Sequence, residues 1–349
     1  MKKASCLLFA SSILALSATA QAADAPDVVV SIKPLHSLVA AVMAGVGTPE
    51  LIVDGGASPH TYSLKPSNAR ALEQADVVFW AGPGLEAFLE KPLGSLAAKA
   101  KVVELSEAPG LTLLPFREGG AFEAHDHGHE GEEGHAEEAH AHEGEEAHEG
   151  EHAHVSEHAH EDEHADGHEG HADHDHEGHD MHVWLDPVNA KAMTAEIAAT
   201  LAAADPANAE RYEANAEKLE AKLDALDQEI AATVSPVKDK PFVVFHDAYQ
   251  YLEKRYGLKV AGSITISPEN VPGAERVAEI HKKVIDLGAT CVFAEPQFEP
   301  KLVGVVLEGT PAKSGTLDPE GATLQAGPEL YFELMRGTAS SLKDCLSGN

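Results

Sequence analysis

The sequence predicts an α/β protein. Short β-branched strands alternate with helices in two successive blocks, a long helix lies between the blocks, and an acidic histidine-rich insert interrupts the chain before that helix. Strands alternating with helices imply parallel sheets, and 349 residues are enough for two domains of ordinary size.

In the first block, Val28 to Ile32 is a β-branched strand, followed by Lys33-Pro34 and an amphipathic helix to Ala44. Leu51-Ile52-Val53 is a second strand running into the loop Asp54 to Tyr62, which carries His60. A helix opened by Lys65-Pro66-Ser67 runs through Gln74, Val77 to Trp80 is a third strand, Leu85 to Leu96 a helix, and Val102 to Leu105 a fourth strand.

Between Glu118 and Asp180 there are 17 His and 23 Asp or Glu, with no Lys, Arg or Pro. Like charges repel, and with almost no large apolar residues nothing offsets the entropy of ordering, so disorder is expected. Imidazole is largely neutral at pH 7, and His125, His127, His129, His152, His154, His174, His176 and His179 offer nitrogen donors at adjustable spacing. That composition suits zinc, copper and nickel better than the oxygen-preferring calcium or magnesium. Two windows, His148 to His152 and His160 to His164, spell HExxH. Neither has an apolar face on which a helix could dock, so they are read as chance matches.

Beyond the insert, Pro187 to Ala203 is an Ala-rich helix, and Ala207 to Val234 is a long helix about 42 Å in length. Its position between two α/β blocks favours a rigid strut over a packing helix of one domain. The second block repeats the first: strand Phe242 to Phe245 ending in His246-Asp247, helix Tyr249 to Tyr256, strand Val260 to Ile264, helix Gly273 to Leu287, strand Cys291 to Ala294 and helix Lys301 to Leu307. A last strand, Ser314 to Leu317, ends at Asp318-Pro319, and Glu329 to Leu342 is the closing helix.

Met1-Lys2-Lys3, an apolar run from Leu7 to Leu16 and Ala20-Gln21-Ala22 together read as a cleavable secretory signal over residues 1–22. The run is too short to span a bilayer, and the expected compartment in a Gram-negative source is the periplasm. The formal charge of −33 argues against nucleic acid as a partner. Cys291 and Cys345 are the two cysteines after the signal. In an oxidising compartment one disulfide is the default and two buried thiols the alternative. Closing that loop would stabilise by about 4 kcal/mol in the chain-entropy picture.

Five histidines lie outside the insert: His36, His60, His182, His246 and His281. His36 and His281 fall inside predicted helices and are read as packing or surface residues. Ligands bind at the carboxyl ends of strands in open α/β sheets, so His60 after the second strand and His246 after the fifth are placed to meet across a cleft. His182 follows the insert directly and Asp318 ends a strand. Three imidazoles and one carboxylate would suit tetrahedral zinc, whereas manganese would call for more oxygen ligands.

The residues that carry these features resemble a known family. They are Gly56 to Ser67 around His60, Ala75 to Trp80, Met181-His182-Val183-Trp184-Leu185-Asp186-Pro187, Phe245-His246-Asp247-Ala248-Tyr249, Cys291 to Gln297, and Gly315 to Pro319. The chain is similar to the metal-binding solute-binding proteins of bacterial ABC transporters (cluster A-I), specifically the high-affinity zinc-uptake type. The resemblance implies two (β/α) lobes joined by the long helix, with boundaries at 23–204, 205–235 and 236–349. It also implies Zn²⁺ held between the lobes as transported ligand, with His60, His182 and His246 as ligands. Manganese relatives place a Glu at the third position. Some zinc members ligate through a Glu before the first histidine, a position held here by Pro59, which leaves the fourth place to Asp318, water or the insert. The same resemblance implies a Cys291–Cys345 disulfide and an auxiliary role for the insert as zinc antenna, buffer or sensor. The implied partners are an inner-membrane permease with its cytoplasmic ATPase and a small periplasmic zinc chaperone, and the protein is expected to act as a monomer without catalysing a reaction.

Two other readings compete. A zinc hydrolase would need a general base, for which Glu295 is the candidate; a metal-independent adhesin would leave the histidine-rich insert without a purpose.

Overall fold

The structure is a computed structural model that describes residues 25–117, 178–265, 268, 272–298 and 301–348. The expected export signal and the insert histidines His125, His127, His129, His152, His154, His174 and His176 lie outside the described residues.

The first block forms β1 (Val28–Val30), α1 (Lys33–Val42), β2 (Glu50–Leu51), α2 (Pro66–Gln74), β3 (Val77–Trp80), α3 (Ala87–Ser95) and β4 (Lys101–Glu104). Two helices follow, α4 (Pro187–Ala204) and α5 (Ala209–Val234). The second block gives β5 (Pro241–Val244), α6 (Gln250–Tyr256), β6 (Lys259–Ser263), α7 (Ala274–Asp286), β7 (Cys291–Ala294), α8 (Lys301–Leu307), β8 (Lys313–Thr316) and α9 (Leu330–Ser347). The order is the one the sequence predicts, with ends differing by a few residues.

Both sheets have four strands, all parallel, in the orders β2-β1-β3-β4 and β6-β5-β7-β8, so the second repeats the topology of the first. In each sheet the chain passes to one side after its first strand and then to the other. In the second sheet this makes β5 and β7 neighbours at the point of reversal, where side chains at the carboxyl ends face a crevice.

Alternation along β5 shows how the second sheet is clad. Phe242 and Val244 join the main core, which also takes in the first sheet, α4, α5 and α9. Val243 and Phe245 face a smaller core built with Ile280 and Val284 of α7 and Val303 and Val306 of α8. Successive residues of a strand point to opposite faces, so a continuous apolar run is what a sheet covered on both sides requires.

The long helix α5 has 26 residues and is about 39 Å long. It buries Tyr212, Ala216, Leu219, Leu223, Leu226, Ile230 and Val234, steps of three or four residues that make one apolar seam. That seam rests on neighbours rather than standing clear: α5 packs against α4, α9 and α1. The closing helix α9 is covalently fixed to the second sheet by the Cys291–Cys345 disulfide and also packs on α5 and α1.

The insert proves shorter than its composition suggests. The sequence places Gly178, His179 and Asp180 within it, whereas these three residues belong to the folded unit. Asp180 N donates to Leu114 O at 2.9 Å, Phe116 N donates to Gly178 O at 3.1 Å, and Pro115 and His179 form an antiparallel bridge. The ladder satisfies backbone groups that composition gives no reason to pair.

Lys33 is buried and sits at the start of α1, where its Nζ donates to the carbonyls of Gly321, Ala322 and Leu324 at 3.1, 3.0 and 3.0 Å. One ammonium thus pins the loop before α9 onto the first block. Nearby, Trp184 Nε1 donates to Pro319 O at 2.9 Å, Tyr331 N donates to Ser37 Oγ at 3.0 Å, and Tyr331 OH donates to Trp184 O at 2.7 Å. Lys33→Met leaves one buried and two half-buried carbonyls without their donor and is expected to lower unfolding free energy by about 2–4 kcal/mol, measured by urea denaturation.

Candidate metal centre

Each of the three histidines singled out by sequence is placed by a different piece of local structure. His60 sits in a 3₁₀ turn over Pro59–Thr61, entered through Pro59, whose fixed φ suits a first helical position. His182 precedes a second 3₁₀ turn, Val183–Leu185, which leads into α4 through Asp186, whose side chain accepts from Val188 N at 2.8 Å as an N-cap. His246 lies two residues beyond β5, at the crevice end of the sheet.

The fold brings them together. Among the described residues, one group of three or more His, Cys, Asp or Glu side chains has donor atoms within 4.8 Å of one another, and it consists of His60, His182 and His246. Ring centroids stand 5.6 Å apart for His60 with either partner and 5.2 Å for His182 with His246. His182 and His246 are buried and His60 is half-buried.

The decisive geometry lies on the far sides of two rings. Asp180 Oδ1 accepts from His182 Nδ1 at 2.8 Å and from His182 N at 3.0 Å. Both oxygens of Glu295 lie 2.8 Å from His246 Nδ1. A carboxylate accepts hydrogen bonds, so these contacts put a proton on each Nδ1 and leave each Nε2 as the donor of a lone pair. The two Nε2 atoms face each other at 3.3 Å. Two lone pairs do not hold that separation by themselves; a proton or a cation has to lie between them. Around a tetrahedral zinc with Zn–N of about 2.0–2.1 Å, adjacent nitrogens stand about 3.3 Å apart. The donor set and its spacing therefore fit zinc.

The electrostatics follow from burial. Enclosure of the ring, then the neighbouring His182 and His246, hold His60 well below the ordinary imidazole value, which keeps it neutral and ready to donate. Burial also pushes His246 down, but Glu295 outweighs it through charge and hydrogen bonding, helped by Asp247 and Asp180, and the net value is raised. Burial pushes the Asp180 carboxyl up to about 7, against the His182 amide, Arg117, His246 and Gln250, which pull it down. A cation between the rings favours the ionised form of both carboxylates.

Asp318 stands two residues beyond β8, outside the three-histidine group. Its Oδ1 accepts from Gln297 Nε2 at 3.0 Å and Glu320 N at 3.3 Å. His36 and His281 are remote packing residues: His36 Nε2 meets Pro49 O at 3.1 Å, and His281 Nδ1 meets Val306 O at 3.1 Å. Glu295, read from sequence as a candidate general base, is the group that holds His246. Asp180 was absent from the sequence reading, where it counted as one more acid of the insert. The signal that could have found it is its position two residues before a histidine in an otherwise apolar motif.

Two parallel sheets with a three-histidine cluster beside their loops make this an α/β protein with a candidate metal centre. Residues 28–345 match the family described as the zinc-uptake complex component A, periplasmic. The high-affinity zinc uptake system protein ZnuA of Brucella suis is 56% identical over 99% of this chain and 100% of its own length. That of Paracoccus denitrificans is 42% identical over 94% of each chain. A crystal structure of ZnuA superposes with a TM-score of 0.68 at 23% identity, covering 92% of this chain and 99% of its own. The chain belongs to this zinc-uptake family. It is accordingly a zinc-binding component of an ABC-type uptake system and not an enzyme.

Glu295→Gln removes the strongest of the groups that raise His246 and leaves burial opposed only by the charges of Asp247 and Asp180. The His246 pKa, followed by NMR titration of the metal-free protein, is expected to fall below that of the parent protein.

Proposed function

We propose that this protein is exported by cleavage of residues 1–22, binds Zn²⁺ through His60, His182 and His246 in the periplasm of a Gram-negative bacterium, and surrenders it to an inner-membrane permease driven by a cytoplasmic ATPase. The observation that carries this reading is the pair of Nε2 atoms 3.3 Å apart, each backed by a carboxylate on Nδ1. Three neutral nitrogens favour zinc over manganese, whose sites are richer in oxygen.

The fourth position falls to Asp318, a water or a donor from the insert. Asp318 already accepts two hydrogen bonds through Oδ1, so as a ligand it would offer its other oxygen or give up those bonds. The insert, with His125, His127, His129, His152, His154, His174 and His176, acts as an auxiliary antenna, buffer or sensor that raises local zinc by effective concentration. His179 belongs to its folded end. The protein works as a monomer, and a small periplasmic zinc chaperone is a further partner. Among the described residues no helix is long and apolar enough to cross a membrane.

Calorimetric zinc titration tests this. A variant lacking residues 118–177 is expected to keep one tight site, and adding His60→Ala to it is expected to weaken that site at least tenfold, in line with the loss of a ligand nitrogen. Loss of tight binding on deletion alone would move the essential ligands into the insert.

Zinc binds deprotonated imidazole. With its pKa raised, His246 holds a proton at pH values where an ordinary imidazole has lost it, while His60, shifted down, does not compete. Apparent affinity is therefore expected to fall as pH is lowered from 8 to 6, the loss setting in above about 6.5, as read by competition with a chelator of known proton affinity.

A further inference from the structure

The two described ends of the insert converge beside the histidines. The short ladder between residues 114–116 and 178–180 lies on α6: Tyr251 OH donates to Asp180 O at 2.7 Å and accepts from Leu114 N at 3.1 Å, and Gln250 Nε2 donates to Pro115 O at 3.1 Å. Arg117 closes the arrangement. Its Nε donates to Asp247 Oδ2 at 3.0 Å, its Nη2 pairs with Asp247 Oδ1 and its Nη1 with Glu253 of α6. Asp247 follows His246 in the chain, and Asp180 is the carboxylate that orients His182. A single ladder and a single guanidinium therefore hold the neighbours of two of the three imidazoles.

We propose that Arg117 is a positioning residue of the metal centre, fixing the backbone that carries His246 through Asp247 and Glu253 and clamping the stem that presents Asp180 to His182. The inference rests on the metal-binding reading above. Arg117 pairs with Asp247 and Glu253, so it acts on how firmly the imidazoles are held rather than on the donor set. Its side chain is 20% exposed, against 4% for Asp247 and 17% for Glu253, so the three charges are mostly withdrawn from water. Neutralising the guanidinium leaves the buried Asp247 and the half-buried Glu253 uncompensated, and their repulsion acts on the segment that bears His246. The planar fork matters as well as the charge, because only a guanidinium meets Asp247 through two parallel bonds and still reaches Glu253.

Zinc release into excess chelator, followed by stopped flow on the full chain with its insert in place, tests the proposal. The relevant slow phase is the one that His60→Ala abolishes. Arg117→Gln is expected to accelerate it about 10–100-fold, the usual scale for a group behind a metal ligand. Arg117→Lys, which keeps the charge but not the fork, should fall between it and the parent. Combining Arg117→Gln with Asp247→Asn should add nothing beyond the larger single effect. Arg255→Gln removes the ion pairs of α6 with Asp227 of α5 and, more loosely, with Asp186 and should lower thermal stability while leaving the slow phase alone. Release from Arg117→Gln within twofold of the parent overturns the proposal, as does equal acceleration by Arg255→Gln, which would mean general loosening of α6. If Arg117→Gln fails to fold, Arg117→Lys decides between intermediate and unchanged release. A parent protein without any His60-dependent slow phase would overturn the metal-binding reading itself, and this inference with it.

Discussion

Two hydrogen bonds from imidazole Nδ1 to carboxylate, Asp180 with His182 and Glu295 with His246, are the constraint around which the site is organised. They choose the tautomer, and the tautomer decides which face of each ring carries a lone pair. Without them, three histidines near one another would be a polar cluster with rotating rings. With them, two lone pairs are held 3.3 Å apart, an arrangement that a bound cation satisfies. The Glu295 bond is a product of sheet topology: β5 and β7 are adjacent parallel strands, so the residues just past their carboxyl ends, His246 and Glu295, lie side by side. The Asp180 bond is local, made across a two-residue turn that also engages the His182 amide.

Holding those ends in register requires the two α/β blocks to be joined by more than a covalent link. The apolar seam of α5, packed against α4, α9 and α1, provides a continuous core between them. Lys33, Trp184 and Tyr331 add polar contacts at the same junction, each between residues more than 130 positions apart in sequence. A buried lysine costs desolvation energy, and this one is compensated by three carbonyls, which gives the loop after β8 a defined position beside Asp318.

Most of the fold was legible because its signals are local. Val28 to Val30, Val77 to Trp80 and Cys291 to Ala294 are uninterrupted apolar runs too short for helices, and α5 announces itself through its heptad-like leucines. His60 and His246 were readable because each follows a strand. Arg117 and Lys33 were not, since each acts on chain far away in sequence, Arg117 on Asp247 and Lys33 on Gly321. Composition also concealed Asp180, because one carboxylate among 23 acidic residues carries no mark of its own.

The sequence by itself determined the alternation of strands and helices, the identity of the nitrogen donors and the even charge-dense character of the insert, since all three follow from residue type and short-range spacing. Only the tertiary structure decided which nitrogen of each imidazole faces the centre, where the insert truly ends and which carboxylates serve as supports. The tautomer of His246 depends on Glu295, 49 residues on, and that of His182 on a turn that brings back the side chain of Asp180; a linear pattern holds no record of which groups folding will bring within 3 Å.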